Sequence, residues 1–227
     1  MTYALIALSG IMAIVVFWLV RQTVNVHPWV EQRPVEYATA AANGDGALSL
    51  PQVKVGLGVF LAVATSLFAL LISAYHMRMA GEDWARLPLP RVLWVNTAVL
   101  ILASVAMQRT RVAARLGQRQ RVQSGLVASG ALTFGFLAGQ LWAWQQMTAA
   151  GYFVSANPSY AFFYLLTALH GIHLLGGLWV WARTTARAMR GADAVAIRLS
   201  VELCTVYWHY LLAVWVVLFA VLLQAHG

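Results

Sequence analysis

Runs of apolar residues recur six times along the chain, interrupted only by small or isolated polar positions. They are Tyr3–Val20, Val55–Met77, Val92–Met107, Ser124–Met147, Tyr160–Ala182 and Leu199–Leu223. Each approaches or exceeds the roughly 20 apolar residues that a helix needs to cross a bilayer core of about 30 Å. None alternates between apolar and polar positions as a barrel strand does, and a helix satisfies its own backbone groups where lipid cannot. The expected fold is all-α: a polytopic membrane bundle of six transmembrane helices, five forming a core and one preceding it.

The connections divide the chain. The longest, 22–51, contains Pro34, a run of mostly small residues from Ala38 to Gly46, and Pro51, so it reads as a surface linker. The expected organisation is an N-terminal transmembrane helix over 1–21, a cytoplasmic linker over 22–51 and a five-helix bundle over 52–227. The first helix lacks a basic leader and a small-x-small cleavage site, so it reads as an uncleaved anchor. Neither an internal repeat nor a low-complexity tract is visible.

Composition narrows the function classes. Of 227 residues, 61% are hydrophobic and 10% charged, against about 45–50% and about 25% in soluble domains. That excludes a soluble globular enzyme, a disordered chain and a typical nucleic-acid-binding domain. The single cysteine, Cys204, excludes a disulfide framework and cysteine-based metal sites. The formal charge of +8 matters through its placement. Arg109, Arg111, Arg115, Arg119 and Arg121 follow the third span, and Arg183, Arg187, Arg190 and Arg198 follow the fifth. With both clusters in the cytoplasm, Arg21, Arg33 and Lys54 also fall inside, while Arg78, Arg86 and Arg91 fall outside. The positive-inside rule is then met and both termini face outward. The tryptophans near span ends, Trp18, Trp29, Trp84, Trp94, Trp142, Trp144, Trp179 and Trp181, read mostly as interfacial anchors.

Ionisable residues at membrane depth are costly and are usually paired or functional. Here they are His76, His170, His173, Glu202 and His209. His76 lies at a span end and reads as interfacial. His170 and His173 are three apart on one helical face; they fit either haem or metal ligation or hydrogen bonds between helices. Gly171, Gly176 and Gly177 beside them permit close approach of a neighbouring helix or a lipid. Glu202 and His209 are two turns apart on one face. Glu202 fits either a proton-handling carboxylate or a structural one paired with Arg198, four residues earlier. No nucleotide-binding glycine loop, Ser-His-Asp set or HExxH motif is present, so the residues alone describe a scaffold or accessory subunit.

Several of these segments resemble subunit III of the haem–copper oxidases. The strongest match is Glu202-Leu-Cys-Thr-Val-Tyr-Trp-His209 followed by Trp215, the family's spacing of glutamate, Tyr-Trp-His and tryptophan. His170-Gly-Ile-His173 followed by Gly176 is similar to the family's His-Gly-x-His helix, entered by Tyr160-Ala-Phe-Phe-Tyr-Leu-Leu-Thr167. Leu93-Trp-Val-Asn-Thr97, Gly139-Gln140 and Lys54-Val-Gly56 with Phe60 and Phe68 resemble the other core helices. Two positions depart: Val63-Ala64 stands where the family usually has Ser-Glu, and Leu212 where it commonly has aspartate.

The resemblance implies a non-catalytic subunit of a respiratory oxidase, with no catalytic site, cofactor or metal of its own. Haem and copper would lie in a catalytic subunit I, joined by subunit II, and phospholipid would be bound. Glu202, His209, His170, His173, Trp208 and Arg198 would then be structural or lipid-cleft residues, and Arg183 and Arg187 would meet lipid phosphates. The expected location is a bacterial-type inner membrane, with no nucleic-acid partner. Competing readings are the subunit III-like component of a nitric oxide reductase, a membrane cytochrome b with histidine-ligated haem and, last, a secondary transporter.

Overall fold

The computed structural model describes residues 52–191 and 194–224. The predicted first span, Tyr3–Val20, and the whole of the 22–51 connection lie outside the described residues. Five helices follow one another: α1 Gln52–Met79, α2 Val92–Arg115, α3 Arg119–Ala149, α4 Pro158–Met189 and α5 Ala194–Gln224. All five are long and apolar enough to cross a membrane.

The helices overrun the predicted spans. The third span was expected to end at Met107, but α2 continues for two turns to Arg115; the fifth was expected to end at Ala182, but α4 reaches Met189. An apolar window marks only the hydrocarbon part of a helix, whereas backbone hydrogen bonding continues into the interface. All five arginines expected in the loop after the third span are therefore helical, Arg109, Arg111 and Arg115 on α2 and Arg119 and Arg121 in the first turn of α3.

The ends follow local rules. Gly117, Gly151 and Gly191 all have positive φ just beyond α2, α3 and α4, where a left-handed residue lets the last carbonyls find partners. After α2, the Gly117 N–H donates to Ala114 O and that of Gln118 to Ala113 O. The turn to α3 is thereby reduced to 116–118. α4 begins with Asn157 as its cap and Pro158 in the first turn, the favoured pairing of an Asx cap with proline.

By contacts between Cα atoms the chain divides into two units, Met1–Thr65 and Ser66–Gly227, the boundary falling within the sequence of α1. In the first, the described part of α1 exposes Val53, Val55, Val59, Phe60 and Val63 and buries Leu61 and Ala64. In the second, α2 packs on α3 and α5, and α4 on α3 and α5. α5 is the most buried of the five helices. It fills the centre with Trp208, Tyr210, Leu211, Trp215, Leu218 and Leu222.

Candidate functional site

The polar residues of α5 face three neighbours, and each face forms a different clasp. Toward α2, Glu202 Oε1 accepts from Arg111 Nη2 at 2.6 Å and from Arg115 Nη2 at 2.9 Å. One turn further along α5, Thr205 Oγ1 donates to Met107 O at 3.3 Å. One more turn on, His209 Nε2 donates to Gln108 Oε1 at 3.2 Å, and its Nδ1 accepts from the Ser104 hydroxyl. An amide oxygen can only accept, which places the imidazole proton on Nε2. The numbers rise on α2 as they fall on α5, as antiparallel neighbours require.

Toward α4, His170 Nε2 donates to Leu211 O at 3.1 Å, and the Tyr207 hydroxyl donates to His173 O at 2.8 Å. The His173 ring bonds within its own helix, Nδ1 to Leu169 O at 2.8 Å, and lies 5.2 Å from the Phe68 ring of α1. The two histidines are thus committed to different neighbours. Gly177 makes the α4–α5 approach possible: a Cβ there would come 2.5 Å from Tyr207 Cε1. Gly171 and Gly176, also expected to admit a helix or a lipid, have no protein atom of the described residues within 4 Å of such a Cβ; no described helix approaches them closely.

Toward α3 and again α2, the two buried indoles of α5 each find a threonine. Trp208 Nε1 donates to Thr133 Oγ1 at 3.0 Å and Trp215 Nε1 to Thr97 Oγ1 at 2.9 Å. Two tryptophans expected to be anchors also act between helices: Trp144 Nε1 donates to Thr167 Oγ1 and Trp181 Nε1 to Leu126 O, both at 3.0 Å. An indole N–H at bilayer depth needs an acceptor, and the adjacent helix supplies one. Trp94, Trp142 and Trp179 are exposed.

The outer residues of the expected set stand apart. Arg183 and Arg187 are exposed on α4, with Arg183 Cζ 5.3 Å above the Trp179 ring. Arg198 is exposed on α5. Sequence reasoning named Arg198 for Glu202 and missed Arg111 and Arg115, about 90 residues away in the chain. The available signal was a row of unopposed arginines after the third span. Among the described residues, no group of three or more His, Cys, Asp or Glu is arranged to hold a metal ion.

A helical bundle whose polar side chains are largely spent on neighbouring helices defines a multi-pass membrane protein. Residues 2–225 match the family described as cytochrome c oxidase subunit III, and the chain belongs to that family. It is 28% identical over 197 residues to cytochrome c oxidase subunit 3 of Thermostichus vulcanus, covering 84% of this chain and 96% of that one. It is 30% identical over 194 residues to the probable cytochrome c oxidase subunit 3 of Mycobacterium leprae, covering 81% and 94%. The Synechocystis cytochrome c oxidase subunit 3 is 28% identical over 170 residues, 72% of each chain. Membership in a multi-subunit oxidase family implies catalytic partner subunits.

Proposed function

We propose that this chain is the accessory subunit III of a respiratory haem–copper terminal oxidase. It would stabilise the catalytic subunit, hold phospholipid and support proton uptake while its partner reduces oxygen. The observation that carries this reading is the use made of the family's motif residues. Glu202, Trp208, His209 and His170 bond to neighbouring helices rather than converging on one open position. Such a chain can brace a partner but brings few groups of its own to a reaction.

In this reading the partners are subunits I and II, which hold the haem and copper. The arginine-rich ends of α2, α3 and α4 face the cytoplasm across a bacterial-type inner membrane, with both termini outside. The Tyr3–Val20 segment is a sixth transmembrane helix joined by a cytoplasmic linker over 22–51, and 52–227 is the subunit III-like bundle. Arg183, stacked on Trp179, and Arg187 one turn further receive lipid phosphates at the inner interface. His173 and Arg198 belong to the same structural and lipid-contacting set.

The test is purification in mild detergent through a tag on this chain, followed by its removal from the complex. The expected result is a haem spectrum that stays with a larger partner, together with oxygen turnover. Haem remaining on the stripped chain would overturn the reading, and turnover of NO in place of oxygen would assign the complex to nitric oxide reduction.

A further inference from the structure

We propose that the centre of the bundle binds a small cluster of water molecules between Asn96, Gln140 and His170. This site is independent of which gas the complex reduces. The three residues come from α2, α3 and α4 and are 3%, 4% and 0% exposed. Asn96 Nδ2, Gln140 Nε2, Gln140 Oε1 and His170 Nδ1 are all buried without a hydrogen-bond partner.

They lie in one layer. Asn96 rests on Gly139, the residue before Gln140; a Cβ at Gly139 would come 2.0 Å from Asn96 Oδ1. Thr97, next to Asn96, accepts from Trp215. The Trp215 ring lies 5.2 Å from the ring of His170, and Phe136, one turn before Gln140, packs at 4.9 Å from Trp215 and 5.7 Å from His170. The Trp215–Phe136 pair therefore lies against His170, one residue along α2 from Asn96 through Thr97 and one turn along α3 from Gln140.

The chemistry of the unused atoms names the ligand. Because His170 Nε2 donates to Leu211 O, Nδ1 is left as an acceptor. Gln140 Oε1 is a second acceptor, and the two amide nitrogens are donors. Two amide nitrogens with two N–H bonds each, set beside two acceptor atoms, suit a few water molecules, each of which both donates and accepts. The polar residues of this layer are neutral amides and an imidazole with no carboxylate, a poor match for a divalent cation. Near-complete burial excludes a lipid headgroup. At bilayer depth the alternative is unpaired polar groups, each of which lowers stability.

Radiolytic hydroxyl labelling tests this on the complex as purified, in lipid nanodiscs, because bound water generates radicals beside the side chains that hold it. Trp208 is the internal control: it is as buried as Trp215 and its indole is likewise bonded to a threonine, Thr133, but it is Trp215 that lies against the His170 ring. The expected result is labelling at Trp215 and His170 several-fold above that of Trp208. Gln140→Leu, and separately Asn96→Leu, should reduce it. Equal labelling at Trp215 and Trp208 in the unaltered complex would overturn the proposal. So would a Gln140→Leu complex that labels as before and melts higher, since that pattern means the amide had been unpaired and dry.

Discussion

The indole of Trp208 on α5 donates to Thr133 Oγ1 on α3 at 3.0 Å, and the threonine donates its own proton to Ser129 O at 2.8 Å. The hydroxyl therefore does two jobs: it satisfies an indole at bilayer depth and ties it to the backbone of the next helix. Thr133→Val keeps the shape and removes the acceptor, leaving a buried N–H without a partner. The expected loss is about 1–3 kcal/mol, read as a lower midpoint of thermal unfolding in detergent. Thr133→Ser, which keeps the hydroxyl, should recover most of it. A loss for serine with none for valine would mean that the methyl contact, not the hydroxyl, carries the stability.

The ion pair at the other end of α5 should behave differently. Glu202 accepts from two guanidiniums, and the side chain of Arg111 is only 14% exposed. Glu202→Gln removes the charge and leaves Arg111 largely buried beside a neutral amide. Hydrogen bonds to charged groups contribute about 1.5–3 kcal/mol, so assembly of the chain into its complex should weaken more than proton uptake slows. Pairing Glu202→Gln with Arg111→Gln in a double-mutant cycle should recover part of the loss. Normal assembly with slow proton uptake would instead make Glu202 a proton carrier.

Gly177 sets how closely α4 and α5 pack. An alanine there would place its Cβ 2.5 Å from Tyr207 Cε1, and Tyr207 would have to swing, stretching its bond to His173 O. Overpacking of this kind costs about 1–3 kcal/mol. Gly177→Ala should lower the melting midpoint, whereas Gly176→Ala, with open space at its Cβ, should not. Unfolding curves for the two variants side by side give the comparison.

How much was legible in the sequence follows the range of each interaction. The second to sixth spans could be read, because apolar length is a local property; so could the partners of α5, in kind, from the polar residues that had to be satisfied. The apolar spans stop short of the helix ends, at Met107 against Arg115 and at Ala182 against Met189, because hydropathy falls before hydrogen bonding stops. Partner identity could not be read. Arg198 lay one turn from Glu202 and was the obvious choice, whereas Arg111 and Arg115 reach it only once α2 lies antiparallel to α5. For the same reason the acceptors of Trp144 and Trp181, Thr167 Oγ1 and Leu126 O, could not be read from the sequence.

Acid should loosen the 80–91 connection through Asp83. Its hydrogen bond from the Arg78 guanidinium holds the carboxyl below its ordinary value of 3.8. A carboxyl lowered in the folded state stabilises fully above its unfolded value, and the contribution is lost as pH falls through the folded one. Both groups are exposed, so the effect is local and small. Hydrogen exchange at Gly81 and Trp84, corrected for the intrinsic rate, should rise on acidification in the unaltered chain. Asp83→Asn should remove that pH dependence.

Asn157 joins the start of α4 to the same connection. Its Oδ1 accepts from Ser159 N at 3.0 Å as a helix cap and from Ala85 N at 3.2 Å, while Nδ2 donates to Asp83 O at 2.7 Å. Losing a cap alone costs about 0.5–2 kcal/mol; here two bonds to the 80–91 connection go with it. Asn157→Asp separates these roles, since a carboxylate still caps but cannot donate to Asp83 O. The aspartate variant should keep the thermal midpoint near that of the parent, yet open the connection to protease added to the detergent-purified protein. Asn157→Ala should lose both midpoint and protection. If the aspartate variant stayed as resistant as the parent, the order of this connection would rest on the aromatic cluster of Tyr75, Trp84 and Phe162 and not on the asparagine.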